Sequence, residues 1–275
     1  MNKVILGIDV GGSTTKIVGL QDGKCLGMLQ VRAADQITSM YGAIGNFLSK
    51  NKLGPGDVST VYLTGVGASF IDEQVYGIET HKVNEFDAIG YGALSLTGRK
   101  EALVASMGTG TAFVKATKTG VLHLGGSGVG GGTIVGLSSL MLGKSDIDAV
   151  LSLAEKGNLK NIDLSVRDIL GKKVQSLPSD LTAANFGRIK STASESDIAL
   201  GIVNMVFETI GMLAVFALKN DTIKDVILTG TLATFPQAET IFSEFQKLTG
   251  LSFIIPPDAV FATALGATNP RLLHQ

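Results

Sequence analysis

The sequence has few of the residues that mark disulfide-rich, metal-clustered or nucleic-acid-binding proteins. One cysteine, Cys25, excludes an internal disulfide framework and a cysteine-rich metal site in this 275-residue chain. The three histidines share no spacing typical of a metal triad. Lysine and arginine number 23 against 24 acidic residues, a formal net charge of −1. With no block of like charges, we expect neither a nucleic-acid nor an anionic-membrane partner.

Long apolar runs are also missing, although 45% of the residues are hydrophobic. No uninterrupted apolar stretch of about 18 residues occurs, so no membrane-spanning helix is predicted. The first apolar run is broken by Asp9 and leads directly into a glycine turn, which is unlike a signal peptide. A single unpaired thiol fits a reducing compartment, and we therefore expect a cytoplasmic protein.

The sequence does contain a repeated arrangement of strand, glycine turn and strand. Residues 3–9 and 14–20 are predicted strands around the first turn, and a third strand is expected at 24–32. Residues 102–106 and 112–115 repeat this pattern around a second turn. Helical spacing follows at residues 35–50, 67–75, 85–98, 163–170, 196–219 and 235–248. Residues 171–195 are polar and are predicted to form a loop or insertion.

This duplication is typical of the actin-like ATPases. We therefore predict an α/β fold of two actin-like, ribonuclease H-like domains with ATP in the cleft between them. The boundary is expected near residue 100, which divides the chain into domains 1–100 and 101–275.

The first turn has the composition of a phosphate-binding loop, Asp9-Val10-Gly11-Gly12-Ser13-Thr14-Thr15-Lys16. Glycines let successive backbone N–H groups converge on phosphate oxygens, and hydroxyls add donors. Asp9 is the expected magnesium ligand, since Mg²⁺ prefers carboxylate, water and phosphate oxygens. The spacing of a P-loop is missing, and the turn leads into a strand rather than the helix of a dinucleotide site. The groups expected to contact phosphate are Gly11, Gly12, Ser13, Thr14 and Lys16. An ordinary hairpin turn remains the alternative.

Two further glycine segments support the same interpretation. The second turn, Gly108-Thr109-Gly110-Thr111, could hold the triphosphate from the opposite side. The cluster at residues 125–133 is predicted to lead into a helix whose free N–H groups suit an anion. The residues expected on the nucleotide side are Gly130, Gly131, Gly132 and Gly230. A linker or packing glycines are the alternatives for these positions.

A pair of carboxylates, Glu85 and Asp87, begins a predicted helix and provides the acid-base candidates. Phosphoryl transfer to an alcohol commonly uses a carboxylate that accepts the hydroxyl proton. Two residues apart, these side chains cannot share a helical face, so one is expected to act and the other to cap or pair. The alternative is that both favour the helix dipole. No G-x-S-x-G elbow indicates a serine hydrolase.

These motifs together resemble the type II pantothenate kinases over nearly the whole chain. The segments that carry the resemblance, in order, are GIDVGGSTTK, NEFDAIGYGA, SMGTGT, GGSGVGGGTIVGL and DLTAANFG. The resemblance implies a homodimer, with dimer-forming helices in the second domain. It also implies that the enzyme uses ATP and Mg²⁺ to phosphorylate pantothenate to 4'-phosphopantothenate, the first step of coenzyme A biosynthesis. It makes Glu85 the catalytic base and Asp9 the metal ligand. The substrate side would include Ser106, His123, Gly126, Thr182 and Phe245, with Thr182 approaching from the partner subunit.

Two positions depart from the pattern of these kinases. His123 stands where an arginine is usual, and Phe245 where the partner subunit usually offers a tyrosine. A histidine lacks the bidentate fork of arginine. An acceptor such as a pantetheine-like or sugar-like alcohol is therefore an alternative within the same fold. An ATP-binding regulator or activator ATPase is the alternative from a different class.

Overall fold

The computed structural model describes residues 3–170 and 182–269. Its strands are β1 (Val4–Val10), β2 (Thr14–Gln21), β3 (Lys24–Arg32), β4 (Val58–Thr64), β5 (Glu79–Lys82), β6 (Glu101–Met107), β7 (Thr111–Thr117), β8 (Gly120–Ser127), β9 (Leu164–Ser165), β10 (Thr182–Ala184), β11 (Asp225–Thr229) and β12 (Ser252–Ile254). Its helices are α1 (Gln36–Lys50), α2 (Glu85–Thr97), α3 (Gly131–Leu142), α4 (Ile147–Ala154), α5 (Val166–Leu170), α6 (Glu195–Ala217), α7 (Pro236–Thr249) and α8 (Ala262–Ala267).

Two five-stranded sheets have the same topology, as the repeated sequence pattern predicts. The first has the order β3-β2-β1-β4-β5 and the second the order β8-β7-β6-β11-β12. In each sheet the first three strands are antiparallel, and the remaining strands continue parallel to the central one. Each glycine turn therefore connects the central strand of a sheet to its antiparallel neighbour.

Each sheet has its own hydrophobic core. In the first, Met40, Ile44 and Phe47 recur at helical spacing along α1, which packs against β2 and β3, and they share one buried cluster with residues of β1, β2 and β4. In the second, α6 supplies a line of fully buried apolar residues around Phe207. By length and composition α6 could cross a membrane, but 56% of its apolar window is buried inside the protein. That burial is typical of a core helix.

Two helices, α2 and α8, cross between the sheets. Ile89 and Ala93 of α2 pack on the second sheet, whereas α8 lies on the first, with the Ala264 carbonyl oxygen against Gly7. At the crossing, a Cβ added to Gly92 would lie 1.8 Å from the Ala262 carbonyl oxygen. A Cβ added to Gly266 would lie 1.8 Å from the Ala88 carbonyl oxygen. The backbones of the two helices are therefore in direct contact at the crossing. The domain boundary near residue 100 stays a prediction.

The structure departs from the sequence analysis at three places. Residues 67–75 contain two 3₁₀ turns, Val66–Phe70 and Val75–Gly77, instead of one helix. Of the helix predicted at 163–170, Val166–Leu170 is helical as α5, whereas Leu164–Ser165 form β9 and pair with β10, a distant partner that local spacing cannot reveal. The glycine cluster leads into α3 as predicted, but Gly125 and Gly126 lie in the edge strand β8, which the sequence analysis did not predict. Glycine weakens strand propensity and so conceals this strand. Of the loop predicted at 171–195, residues 171–181 lie outside the described residues.

Candidate active site

The first glycine turn brings Asp9 and Lys16 together. The two residues face each other in the register of β1 and β2, and the Gly11 N–H closes the turn by donating to the Thr14 carbonyl oxygen at 3.1 Å. Lys16 Nζ lies 3.1 Å from Asp9 Oδ2, and the residues are 8% and 7% exposed. The sequence-predicted metal ligand and cation therefore form one nearly buried ion pair at the end of the central strand.

The second glycine turn is held by the start of α3. The N–H groups of Gly131 and Gly132 donate at 2.9 Å to the carbonyl oxygens of Gly108 and Thr109. The Gly130 N–H donates to the Thr133 hydroxyl at 3.1 Å. These three N–H groups, expected to be free for an anion, here shape the loop instead. A nucleotide contact by residues 130–132 stays a prediction.

The two turns meet between the sheets. The hydroxyl oxygens of Ser13 and Thr109 lie 3.4 Å apart, although 96 residues separate them in sequence. One hydroxyl belongs to each predicted phosphate loop. An anion held by the backbone of one loop would therefore lie within reach of the other, which is the arrangement that the duplicated pattern predicts.

Glu85 lies at the beginning of α2, beside the Asp9–Lys16 pair. Asn84 caps the helix by accepting from the N–H groups of Phe86 and Asp87 at 2.9 and 3.2 Å. Burial raises the pKa of Glu85, the negative charge of Asp9 raises it further, and Lys16 lowers it. Burial also raises the pKa of Asp87. Asp9, Lys16 and Glu85, far apart in sequence, thus share one electrostatic environment.

The ring of His123 stacks on Phe86, the residue that follows Glu85. The ring centroids are 3.7 Å apart and the planes differ by 9°. His123 lies on the edge strand β8 and is exposed. The structure therefore brings this predicted substrate residue to the beginning of α2. Gly126, on the same strand, pairs with Ala112, and Ser106 pairs with Thr229 at the end of β6.

Thr182 and Phe245, the other two predicted substrate residues, both contact α6. The Thr182 hydroxyl donates to Glu208 Oε1 at 2.7 Å. Phe245 is buried, and its ring fills the space beside Gly211, where an added Cβ would lie 2.9 Å away. The substrate contacts expected of Thr182 and Phe245 stay predictions. Those contacts would be made to the substrate of a partner subunit.

A second internal repeat, missed by the sequence reasoning, completes the site. Residues 61–70 read VYLTGVGASF and residues 226–235 read VILTGTLATF. In both, a Thr-Gly pair ends a strand with glycine at positive φ, 89° at Gly65 and 86° at Gly230. Thr64 is the register neighbour of Asp9, and a Cβ on Gly65 would lie 2.7 Å from Asp9 Oδ1. The sequence signal for this pair is the Leu-Thr-Gly repeated at residues 63–65 and 228–230.

The donor set at this site suits a hard cation. Asp9 offers carboxylate oxygens next to the first glycine turn, and its negative charge contributes to the raised pKa of Glu85. A cation beside Asp9 would offset that negative charge. Mg²⁺ commonly binds through one or two carboxylates together with substrate phosphates, and it needs no cage of side chains. Within residues 3–170 and 182–269, no cluster of three or more histidine, cysteine or acidic side chains offers a different kind of metal site.

Comparison with known proteins connects this site to a family. The model of the Fumble family matches residues 101–241, just over half of the chain. The chain belongs to the Fumble family. Type II pantothenate kinases of Bacillus cereus (strain G9842), Bacillus anthracis and Staphylococcus haemolyticus (strain JCSC1435) are 28%, 29% and 28% identical to this Fumble protein. The alignments cover 98%, 95% and 95% of this chain and 97%, 95% and 98% of the relatives. They confirm the resemblance found in the sequence.

Solved structures confirm the fold of this Fumble protein. Component A of (R)-2-hydroxyglutaryl-CoA dehydratase from Acidaminococcus fermentans matches with a TM-score of 0.70 at 18% identity, covering 96% of both chains. The activator of 2-hydroxyisocaproyl-CoA dehydratase from Clostridium difficile, solved with bound ADPNP, matches with a TM-score of 0.69 at 16% identity. That alignment covers 97% of this chain and 92% of the activator. The predicted actin-like ATPase fold is confirmed.

Proposed function

We propose that this Fumble-family chain is a pantothenate kinase, which transfers the γ-phosphoryl group of ATP to the primary hydroxyl of pantothenate. The product would be 4'-phosphopantothenate, formed in the first step of coenzyme A biosynthesis. The observation that carries the proposal is the convergence of Asp9, Lys16 and Glu85 below two facing glycine loops. Similarity to type II pantothenate kinases over nearly the full chain supports the choice of acceptor.

In this proposal Glu85 accepts the proton of the acceptor hydroxyl. The hydroxyl oxygen forms a bond to the γ-phosphorus, the bond from that phosphorus to the bridging oxygen breaks, and ADP leaves with the electron pair. The raised pKa of Glu85 makes it a better proton acceptor than an ordinary carboxylate, provided that it is ionised when the acceptor binds. Lys16 places a positive charge near the transferred group. The backbone groups at residues 11–14 and 108–111 would orient the phosphates.

Magnesium belongs to the proposal through Asp9, which would hold the ion either directly or through its water ligands. When bound, Mg²⁺ neutralises charge on the phosphate oxygens. This chain contributes a carboxylate that is held by Lys16, and Gly65 leaves free the space beside it that a Cβ would occupy.

Asp9→Asn is expected to raise the Mg²⁺ concentration for half-maximal activity by about tenfold or more, since a contact to a charged group is worth about 1.5 kcal/mol or more. Affinity for ATP in the presence of Mg²⁺ should fall in parallel, as measured by calorimetry. Asp72→Asn is the matched control, because Asp72 is exposed and its ion pair with Lys82 is a surface one. An unchanged Mg²⁺ dependence in Asp9→Asn would reject the metal assignment.

The acceptor is tested by measuring ADP release from Mg·ATP with pantothenate, pantetheine and a panel of sugars and polyols. Strong stimulation by pantothenate, with phosphopantothenate detected by mass spectrometry, is the expected result. This result would mean that His123 can replace the arginine that is usual at this position in type II pantothenate kinases. Stimulation by another alcohol alone would support the kinase activity but would identify a different acceptor.

An activator ATPase is the second candidate function, because a dehydratase component and a dehydratase activator share this fold. At 18% and 16% identity, those matches carry only the fold. Cys25, the single cysteine of the chain, could not by itself bridge an iron–sulfur cluster. Slow ATP hydrolysis that is indifferent to every acceptor in the panel would favour this candidate over the kinase.

A homodimer in the cytoplasm completes the proposal. It rests on the resemblance to the type II pantothenate kinases, which implies that Thr182 and Phe245 approach the substrate of the partner subunit. The interface would have to include exposed apolar side chains such as Leu140 of α3 or Phe216 of α6. Sedimentation analysis would measure the mass of the assembly directly.

A further inference from the structure

The hydroxyl group of Thr64 is buried at the end of β4 without a hydrogen-bond partner. Thr64 is 0% exposed, and its Oγ1 forms no hydrogen bond with any group in residues 3–170 and 182–269. A buried hydroxyl without a partner costs free energy, because the hydrogen bonds that it made to water are not replaced. Valine has nearly the same shape and no such cost, so the fold alone gives no reason for a hydroxyl at this position.

Thr64 lies in one row of side chains with Asp9 and Lys16. In the first sheet, Asp9 of the central strand is the register neighbour of Lys16 on β2 and of Thr64 on β4. Register neighbours project from the same face of a sheet, and neighbouring strands are about 4.7–4.9 Å apart. The Asp9 carboxylate is therefore flanked by a cation on one side and by a hydroxyl on the other.

The two carboxylate oxygens of Asp9 are directed to these two sides. Oδ2 lies 3.1 Å from Lys16 Nζ. Oδ1 lies on the side of β4, since a Cβ built on Gly65, the residue after Thr64, would be 2.7 Å from it. Gly65 has a φ of 89°, which glycine adopts without strain. The oxygen that Lys16 does not contact is thus turned toward the end of the strand that carries the unpartnered hydroxyl.

Two other threonines, Thr15 and Thr229, also have buried hydroxyls that form no hydrogen bond within the described residues. Thr15 is the register neighbour of Val10. Thr229 ends β11 at the equivalent place of the internal repeat, where its register neighbour is Ser106. Of these three hydroxyls, only that of Thr64 has a carboxylate as its register neighbour.

We propose that Thr64 is a positioning residue for Asp9, and that its hydroxyl donates to Asp9 Oδ1 when ATP and Mg²⁺ bind. The inference rests on the proposed function, in which Lys16 places its charge near the transferred group. As Lys16 turns toward a phosphate, its contact with Asp9 weakens, and the carboxylate needs a second donor to keep its orientation. Thr64 supplies that donor from the backbone of β4, so Asp9 stays directed at the cation.

Calorimetry of ADPNP binding, at several Mg²⁺ concentrations and again in EDTA, tests this role without turnover or acceptor. Thr64→Val should weaken the Mg²⁺-dependent binding by roughly tenfold, the usual loss for one hydrogen bond to a charged group. The weaker binding in EDTA should not change. Thr64→Ser, which keeps the hydroxyl, should bind as the wild type does.

Thr15→Val is the matched control for Thr64→Val. Thr15 is equally buried and its hydroxyl is also unpartnered within the described residues. It lies at the same end of the same sheet, but it precedes Lys16 in β2 and therefore projects from the opposite face. Its replacement should leave the Mg²⁺ dependence of ADPNP binding unchanged.

Thermal unfolding of the free protein separates a positioning role from a structural one. Because the Thr64 hydroxyl has no partner in the described fold, Thr64→Val should melt at the wild-type temperature or above it. Thr64→Ser loses a buried methyl group and should melt at a lower temperature. Affinity and stability should thus change in opposite order in the two variants, which a merely structural threonine would not produce.

An unchanged Mg²⁺ dependence in Thr64→Val, or an equal loss in Thr15→Val, would overturn the role of Thr64 and leave the proposed function standing. Wild-type ADPNP binding that is indifferent to Mg²⁺ would contradict the metal assignment of the proposed function itself, and with it the role of Thr64.

Discussion

Glu85→Gln is expected to lower kcat by about 10²- to 10⁴-fold, the usual contribution of a general base. The change removes one ionisable group and leaves the shape of the side chain. Asn84 still caps α2 through its contacts with the N–H groups of Phe86 and Asp87. Nucleotide affinity should therefore stay close to that of the wild type, because proton acceptance affects the chemical step. Single-turnover phosphoryl transfer and ADPNP binding, measured side by side, separate the two effects.

The same variant is expected to unfold at a higher temperature than the wild type at neutral pH. The pKa of Glu85 is raised in the folded state, so its ionised form is disfavoured there. Its contribution to stability is fully present below its unfolded pKa and is lost as the pH rises through its folded pKa. At neutral pH the ionised side chain is thus a cost, which an uncharged amide removes. Scanning calorimetry at neutral and acidic pH would measure a difference that shrinks on acidification.

Asp87→Asn is the matched control for Glu85→Gln, because both carboxylates lie in the first turn of α2 and burial raises the pKa of both. Only Glu85 senses Asp9 and Lys16. Activity of Asp87→Asn should stay within about tenfold of the wild type. The wild-type rate should rise with pH through a pKa above the ordinary glutamate value. A larger loss of activity in Asp87→Asn than in Glu85→Gln would indicate that Asp87, and not Glu85, is the base.

Gly266→Ala is expected to destabilise the fold by about 3 kcal/mol or more, at the upper end of overpacking substitutions. The added Cβ would lie 1.8 Å from the Ala88 carbonyl oxygen, and backbone cannot move aside as a flexible side chain can. For a domain of this size, the melting temperature should fall by about 6–12 °C. Gly92→Ala, across the same helix crossing, should have a similar effect, since its Cβ would lie 1.8 Å from the Ala262 carbonyl oxygen.

The control for the helix crossing is Gly42→Ala in the middle of α1. No atom lies within 4 Å of a Cβ at that position. Alanine should raise the free energy of unfolding there by up to about 1 kcal/mol, because glycine is the poorer helix former. Thermal unfolding of the three variants isolates the steric effect from the general effect of glycine replacement. If Gly266→Ala melted like Gly42→Ala, the close crossing would be refuted.

The sequence predicted the features that depend on local pattern. The two glycine turns, the beginning of α2 at Glu85 and the facing of the two loops follow from periodicity and duplication, and the structure contains each of them. The pairing of β9 with β10 was missed because it depends on a partner that is distant in sequence. The strand β8 was missed because Gly125 and Gly126 imitate a loop.

Within the candidate site, sequence reasoning found the charged residues but not the backbone that fixes them. Asp9, Lys16 and Glu85 were identified by residue type, since carboxylates and cations near glycine turns indicate phosphate chemistry. Gly65 was missed, because its importance comes from a positive φ and from the closeness of Asp9, which only the folded chain reveals. The N–H groups of Gly131 and Gly132 were predicted to be free, but they bind the neighbouring turn, a contact between segments that no local pattern reports.

The packing of α2 on the second sheet and of α8 on the first has a mechanical consequence. Glu85 begins a helix that packs on the second sheet, and its neighbour Phe86 is stacked on His123 of that sheet, whereas Asp9 and Lys16 belong to the first. Under the proposed function, the base Glu85 and the phosphate-binding turn that contains Asp9 and Lys16 are therefore carried by different sheets. A rotation about the close crossing of α2 and α8 would change the distance between them. The angle between the two sheets would then determine whether Glu85 reaches the acceptor hydroxyl.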